Sequence, residues 1–252
     1  MDGFDAESAA AALAAALRPL GSAARAAQEK RYLKSDLEFF GVPVPDLRRV
    51  VKAEVREQLK AAGQPGTRPG RETAVAWALA LWREPVHERR AAAVEILSLA
   101  VPALTAADLA AVEQLIRESR TWAYVDTLAG NIAGAVALRD PSSWVRIDGL
   151  AVDGDFWVRR SALLALLPGI RAGQPDRPRF TRYAEPMLAE KEFFIRKAAG
   201  WVLREASRRD PQWVAEWTQT HLGQLSGVTF REAVRHLPAA DKSRLETERA
   251  RP

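Results

Sequence analysis

A repeat of about 35 residues is the feature that most restricts how this chain of 252 residues can fold. The motif HERRAA, which begins at residue 87, resembles WVRRSA at 157, FIRKAA at 194 and, more weakly, FREAV at 230. Trp122 lies between the first two copies, so positions 87, 122, 157, 194 and 230 are separated by 35, 35, 37 and 36 residues. Periods of this length are typical of stacked helix pairs. The repeat therefore predicts a HEAT-like array in which the second helices of successive pairs lie side by side.

The segments between Pro and Gly residues predict helices, because none of them shows the alternation of a half-buried strand. We expect helices at about residues 5–17 and 22–35, and a third from about 47 to 62 that Asp46 caps after a loop rich in Gly and Pro. Further along, Pro residues mark the predicted helix joints at positions 85, 102, 141, 211 and 238. We predict an all-α, HEAT-like helical-repeat solenoid in which the whole chain, 1–252, forms a single domain.

Composition excludes several classes of protein. The chain lacks an apolar run of about 18 residues, so no membrane span is expected, and its acidic N-terminus lacks the basic start of a signal peptide. The absence of cysteine excludes disulfides, thiolate zinc sites and a cysteine nucleophile. The three His residues, His87, His221 and His236, do not have the spacing of metal ligands. We therefore expect a cytoplasmic, nucleoid-associated protein that needs neither a metal nor another cofactor.

The charge distribution indicates a polyanionic partner. The net charge is +5, and Arg is the dominant basic residue. Four basic side chains recur in the repeat motif near predicted helix N-termini: Arg159, Arg160, Arg196 and Lys197. The helix dipole disfavours cations at such positions but favours a bound anion, so phosphate explains these residues better than helix stability does. We predict a concave basic groove that binds phosphate.

Trp122 and Asp126 lie four residues apart in the predicted helix at 119–133, a spacing that places both side chains on one face. For this segment taken alone, a solvated or capping Asp126 is the simpler interpretation. The repeat favours a functional interpretation, because it places the basic residues of the motif on neighbouring helices. Eight further aromatic residues are assigned to packing: Trp77, Trp82, Trp144, Phe193, Phe194, Trp213, Trp217 and Phe230.

Four segments resemble the AlkD-like family of DNA alkylation repair glycosylases, which are built from HEAT-like repeats. They are EKRYLKSDLEFFGVPVPDLRR at 29–49, TWAYVD at 121–126, FWVRRSALL at 156–164 and KEFFIRKAAGWVLRE at 191–205, of which the last is the closest match. The resemblance extends from about residue 25 to residue 236, nearly the whole chain. It implies an enzyme that excises N3- and N7-alkylated purines from double-stranded DNA without drawing the base into a pocket.

The resemblance also implies roles for individual residues. Asp126 corresponds to the catalytic carboxylate, and Trp122 and Trp201 correspond to the aromatic residues that flank the lesion nucleotide. Arg160 corresponds to the basic residue beside the scissile nucleoside. Weaker DNA contacts are implied for Tyr32, Lys34 and Arg204, and the predicted basic groove adds Arg159, Arg196 and Lys197 to the DNA-binding residues.

The chemistry of a cationic leaving group suits this small set of residues. An N3- or N7-alkylpurine already carries positive charge, so no general acid has to protonate it. What remains is to stabilise an oxocarbenium-like sugar and to orient the attacking water, and Asp126 suits both tasks. Trp faces attract cationic groups. Because Lys197 lies one turn off the predicted face, no Schiff base is expected, and we predict a monofunctional glycosylase with little activity on neutral lesions.

Two alternatives stay open. A non-catalytic relative would use the same groove to grip damaged or branched DNA and would not depend on Asp126. A protein-binding solenoid would lack salt-sensitive DNA binding. Ala123 and Tyr124 depart from the family pattern beside Asp126, so altered lesion preference is expected to arise there. A solenoid with capping helices needs no partner subunit, so we expect a monomer.

Overall fold

All regular secondary structure in the described part of the chain is helical. The computed structural model describes residues 4–63 and 66–251. The only extended pairing within those ranges is an isolated parallel bridge between Glu38 and Val86. Among the helices in these ranges, none is both long and apolar enough to cross a membrane. The predicted all-α class is confirmed.

The chain divides into two compact units, and the first is Met1–Leu128. Within its described residues it contains α1 (Ala6–Leu17), α2 (Ala23–Leu33), α3 (Val44–Ala61), α4 (Arg71–Trp82), α5 (His87–Ala100), α6 (Leu109–Ser119) and α7 (Trp122–Asp126). Helix α5 packs against α3, α4 and α7, so it lies at the centre of this unit. The predicted helices at 5–17 and 22–35 are confirmed to within two residues at each end.

The second unit is Ala129–Pro252. Its described residues form α8 (Ala135–Arg139), α9 (Trp144–Leu150), α10 (Phe156–Leu164), α11 (Leu167–Arg171), α12 (Arg177–Met187), α13 (Phe193–Ser207), α14 (Pro211–Thr220), α15 (Gly227–Ala233) and α16 (Ala239–Arg249). Helix α13 packs against α10, α14 and α15. A π-helical segment, Thr127–Gly134, follows α7 and contains the boundary between the units. The single domain that the sequence suggests stays a prediction.

The helices begin where the repeat predicts. His87 and Trp122 are the first residues of α5 and α7, Trp157 and Phe194 are the second residues of α10 and α13, and Phe230 is the fourth residue of α15. The rings of Trp157 and Phe194 touch, with centroids 4.6 Å apart. Polar contacts also join side chains 31 to 37 residues apart: Arg71–Asp108, Arg159–Glu190, Arg179–Asp148, Lys197–Glu232 and His221–Glu185. The HEAT-like repeat is therefore confirmed, whereas the concave basic groove stays a prediction.

Polar side chains determine where many of the helices start. Eight residues accept a hydrogen bond from an N–H in the first turn that follows them: Asp5, Ser22, Thr121, Asp155, Asp176, Glu192, Asp210 and Ser226. The prediction that Asp46 caps α3 is wrong, because α3 begins at Val44 with Pro43 at the cap position. Pro45 is tolerated in the first turn, where its missing N–H would have no helical partner.

Half of the eight aromatic residues assigned to packing are in the cores of the two units. Four are buried: Trp77, Trp82, Trp217 and Phe230. Trp213 and Trp217 form the predicted packing pair, since both rings contact Phe180 at centroid distances of 5.7 and 5.1 Å. Phe193 is an exception. Its ring contacts that of Phe194 on the same helix edge-on, but the residue is 53% exposed, so its assignment to packing between helices is wrong.

Candidate functional site

Trp122 and Asp126 lie on a short helix whose start is fixed by the residues before it. After α6, Arg120 adopts a left-handed backbone conformation with φ of 47°, which turns the chain. The Thr121 side chain then accepts a hydrogen bond from the Ala123 N–H and caps α7. Trp122 and Asp126 are the first and last residues of α7, and both are partly exposed. Their predicted helical spacing is confirmed.

The structure brings Tyr32 to Trp122. Tyr32 lies near the end of α2, and the two ring centroids are 6.0 Å apart with the planes at 87°. Tyr32 is 71% exposed. Lys34 follows at the C-cap of α2 in a left-handed conformation and is also exposed. An exposed edge-to-face aromatic pair that has a carboxylate one turn away suits contact with a planar cation.

Tyr124 points into the core of the first unit. It is 1% exposed, and its ring lies 5.4 Å from the rings of both Trp82 and His87. Its Oη is 2.5 Å from His87 Nδ1, and burial raises the pKa of the Tyr124 hydroxyl far above its usual range. Burial also lowers the pKa of His87, although the charge of Glu88 acts in the opposite direction. The expected effect of this departure from the family pattern on lesion preference therefore rests on Ala123 alone.

Glu88 holds the loop that precedes α3, and the sequence analysis missed it. Glu88 is fully buried, and its Oε2 accepts a hydrogen bond from the Phe40 N–H at 2.9 Å. Its Oε1 accepts from the N–H groups of Gly41 and Val42 at 2.7 and 3.1 Å. Gly41 has φ of 77°, and a Cβ there would lie 2.3 Å from the carbonyl oxygen of Ser22. This loop is thus fixed on α5, the helix that packs against α7.

Arg160 is buried in the second unit, with 3% of its surface exposed. Its Nη1 donates to the carbonyl of Phe194 at 2.5 Å, and its guanidinium lies 5.8 Å from the centroid of the Phe194 ring. Arg90 occupies the same motif position in the first unit, and its Nη1 donates to the carbonyl of Glu118. This basic position therefore joins one repeat to the next, a structural role that the sequence analysis did not identify.

Arg159 and Arg196 converge on Glu190. The Nε and Nη2 of Arg159 donate to the two carboxylate oxygens of Glu190 at 3.0 and 2.6 Å. Its Nη1 donates to the carbonyls of Asp153 and Gly154, and the Nε of Arg196 donates to the carbonyl of Glu190 at 2.8 Å. These carbonyls lie in the loops before α10 and α13. The cations near these two helix N-termini therefore have protein acceptors, and their contact with DNA stays a prediction.

Trp201 lies on α13 beside an ion cluster. Lys197 Nζ and Arg204 Nη1 both contact the carboxylate of Glu232 on α15, and the Arg204 guanidinium is 6.0 Å from the Trp201 ring. Burial acts to raise the pKa of Glu232, but the hydrogen bond from Lys197 and the charge of Arg204 outweigh it and hold that pKa below its usual range. A Cβ at Gly200 would lie 2.8 Å from the Glu232 Cβ, so α13 and α15 approach closely. Trp201 is partly exposed on this tightly packed helix.

The predicted site residues thus form local groups within each unit. The first unit groups Tyr32 with Trp122 and places Asp126 one turn further on. The second unit groups Lys197, Trp201 and Arg204, and it joins Arg159 to Arg196 through Glu190. Within residues 4–63 and 66–251, no cluster of three or more His, Cys, Asp or Glu side chains has a geometry that could hold a metal ion.

The all-helical fold and the contacts between side chains about one repeat apart define a HEAT-like helical-repeat protein. Residues 13–237 match the family model described as DNA alkylation repair enzyme, so the chain belongs to that family. Among solved structures, it is similar to the "Predicted DNA alkylation repair enzyme from Enterococcus faecalis", with a TM-score of 0.73 and 24% identity over 87% of this chain and 97% of that one. This likeness supports the fold. The comparison with curated proteins found no match.

Proposed function

We propose that this protein is a monofunctional DNA glycosylase that hydrolyses the N-glycosidic bond of N3- and N7-alkylated purines in double-stranded DNA. Membership of the DNA alkylation repair enzyme family supports the class of function. The observation that carries the specific reaction is the pair of partly exposed side chains, Trp122 and Asp126, one turn apart on α7 and beside the exposed ring of Tyr32.

Asp126 carries the proposed chemistry. As the glycosidic bond breaks, the cationic base leaves as a neutral purine and positive charge develops on the sugar. A nearby carboxylate stabilises that charge and orients the water that attacks the anomeric carbon. The faces of Trp122 and Tyr32 attract the cationic base and the polarised sugar, with about 0.5–2 kcal/mol for each favourable contact. Because the base is already charged, no acid has to protonate it.

Arg160 and Trp201 are proposed to act in the roles that the family resemblance implies. Trp201 supplies the second aromatic surface, and Arg160 anchors the DNA backbone beside the scissile nucleoside. Arg160 also bonds the Phe194 carbonyl, so a loss of activity on its replacement has to be compared with the loss of stability. The further residues proposed to contact DNA are Tyr32, Lys34, Arg159, Arg196, Lys197 and Arg204.

The test is base release from duplex DNA that carries 7-methylguanine, measured in single turnover. Wild type is compared with Asp126→Asn and with Glu57→Gln, which removes a carboxylate from an exposed position on α3. We expect wild type and Glu57→Gln to release base at similar rates, and Asp126→Asn to be slower by about 100-fold or more, as for loss of one preorganised electrostatic group. A neutral lesion in the same duplex should be released poorly by all three proteins.

Each outcome decides between the proposed function and one alternative. Wild type that releases no 7-methylguanine would refute the glycosylase, and undiminished release by Asp126→Asn would refute the role of that carboxylate. DNA binding without release would favour a non-catalytic scaffold for damaged or branched DNA. Failure to bind DNA even at low salt would favour a protein-binding repeat, since phosphate contacts are strongest there.

A further inference from the structure

We propose that a cleft in the second unit, called here the C-terminal cleft, binds an unpaired nucleotide of single-stranded DNA. The cleft is formed by residues of α13, α15, the turn after α15, and α16, and its volume is about 560 Å³. That volume is within the range of sites that bind small molecules. Its charged side chains are Lys197, Arg231, Arg235, Lys242, Glu232 and Glu246.

The charge of the cleft is positive and largely uncompensated. Glu232 is already neutralised by Lys197 and Arg204, as described above. Within residues 4–63 and 66–251, the structure contains no ion pair that involves Arg231, Arg235 or Lys242. These three cations therefore line the cleft with Glu246 as the one further carboxylate. A phosphate is the kind of ligand that this arrangement attracts.

Arg231 and Arg235 bring two like charges into one cleft. Arg231 lies in the last turn of α15 and Arg235 in the 3₁₀ turn that follows it, and like charges that line one cleft repel each other. The charge of Arg231 also adds to burial in lowering the pKa of Arg249. Two neighbouring guanidinium groups that lack a protein carboxylate suit a phosphate, which can accept hydrogen bonds from both.

Phe193 gives the cleft an aromatic wall. It is 53% exposed, and its ring is oriented by an edge-on contact with Phe194 at a centroid distance of 5.4 Å. Phosphate binding alone does not need an exposed aromatic ring, whereas a nucleotide uses both features. Its base stacks on Phe193, and its phosphate lies between Arg231 and Arg235. In a duplex the bases are already stacked on one another, so the ligand that fits is a nucleotide without a paired partner.

This inference rests on the proposed function only in taking DNA as the ligand. Binding is therefore measured with DNA that contains no alkylated base, so that the result does not depend on base release. If base release fails and cleft-dependent binding is found, the proposed function is lost and the cleft stands. If base release succeeds and cleft-dependent binding is absent, the cleft is lost and the proposed function stands.

The experiment measures the fluorescence anisotropy of a labelled oligothymidylate, and of a duplex of the same length, over a range of salt concentrations. Arg231→Gln/Arg235→Gln is compared with wild type and with Lys52→Gln/Arg56→Gln. The control pair is also exposed and four residues apart, on α3, and its replacement changes the net charge equally. We expect the cleft variant to bind oligothymidylate about tenfold more weakly than wild type at low salt, and the control variant to bind it less than about threefold more weakly. The slope of log binding constant against log salt concentration should be smaller in magnitude for the cleft variant by about 1.4, the value for two lost phosphate contacts on a single strand.

The aromatic wall is tested separately with Phe193→Ala and Phe193→Trp. We expect Ala to weaken binding of oligothymidylate by about fivefold or more and Trp to retain it, because stacking requires an aromatic face. If Phe193→Ala lowers the melting temperature by circular dichroism, Phe193→Leu provides the same comparison with most of the apolar volume kept.

Two results would overturn the proposal. One is equal binding of oligothymidylate by the cleft variant and the control variant. The other is a loss of affinity in the cleft variant that is the same for duplex and single-stranded DNA, together with unchanged binding when the aromatic ring of Phe193 is removed. That result would make the cleft a contact for duplex phosphates only.

Discussion

Replacement of Glu88 with Gln tests how firmly the loop before α3 is held on α5. Gln can keep one oxygen for the N–H groups of Gly41 and Val42, but its amide nitrogen would face the N–H of Phe40, which also donates. Two charge-assisted hydrogen bonds become neutral, at about 0.5–1 kcal/mol each, and one buried donor loses its acceptor, at about 1–3 kcal/mol. A neutral amide is less costly to bury than a carboxylate, which offsets part of this loss. We expect a net destabilisation of about 2 kcal/mol.

The assay is chemical denaturation of wild type, Glu88→Gln and the exposed control Glu57→Gln, together with hydrogen exchange of the loop amides. Glu57→Gln should stay within about 0.5 kcal/mol of wild type, as is usual for surface substitutions. In Glu88→Gln the amides of Phe40, Gly41 and Val42 should exchange faster than in wild type. The reasoning is refuted if Glu88→Gln is as stable as the control and the three amides keep their protection.

Three further substitutions test the packing and the ion pairs. Gly200→Ala improves the helix propensity of α13 by up to about 1 kcal/mol, but the new Cβ would overlap with Glu232, so we expect the free energy of unfolding in urea to fall by about 1–2 kcal/mol overall. A stabilised variant would contradict the close approach of α13 and α15. Burial lowers the pKa of His87 in the folded state, so below about pH 6.5 the unfolded state binds more protons than the folded state. The free energy of unfolding should therefore fall as the pH is lowered from 7.5 to 5.5, by at most about 1.4 kcal/mol per pH unit. His87→Asn should reduce that slope, and an unchanged slope would exclude His87 as its source. Glu190→Gln should lower the free energy of unfolding by about 1 kcal/mol. It should also tighten DNA binding at low salt, because it releases Arg159 from its carboxylate partner, and unchanged binding in fluorescence anisotropy would argue against Arg159 as a DNA contact.

The repeat could be predicted from the sequence because it depends on local patterns. A motif that recurs every 35 to 37 residues marks where the helices start, and α5, α7, α10, α13 and α15 each begin within three residues of positions 87, 122, 157, 194 and 230. The spacing of Trp122 and Asp126 follows from helix geometry alone. Tyr32 was predicted only through the family resemblance, because no local pattern connects α2 to α7.

The partners of charged residues could not be predicted in the same way. Arg159 and Arg196 were assigned to phosphate because cations are unfavourable near helix N-termini, but backbone carbonyls of the adjacent loops serve as acceptors. Sequence periodicity reports which face of a helix is buried, and it does not report which backbone groups of the loop before the helix turn toward its side chains. Asp46 was misassigned for a related reason, since Pro45 can either precede a helix or lie in its first turn.

A signal for Glu88 was present in the motif. In the two closest copies, at 157 and 194, the corresponding residues are Val158 and Ile195, both buried, so a carboxylate at this position was expected to be buried with hydrogen-bond donors. The comparison of copies identifies Glu88 as exceptional. It does not identify the donors, which lie 46 to 48 residues earlier in a loop whose path depends on Gly41.

The contacts between residues 31 to 37 apart affect how the protein can be synthesised. Loop closure over such short distances costs little entropy, and proteins rich in short-range contacts fold fast. As the chain leaves the ribosome, a pair such as Arg71 and Asp108 can form while α13 is still being translated. A ribosome that stalls before residue 232 would release a chain with most repeats complete but with Lys197 and Arg204 lacking their carboxylate. The apolar face of α13 that α15 covers would then be exposed, which is a surface that chaperones and proteases recognise in truncated chains.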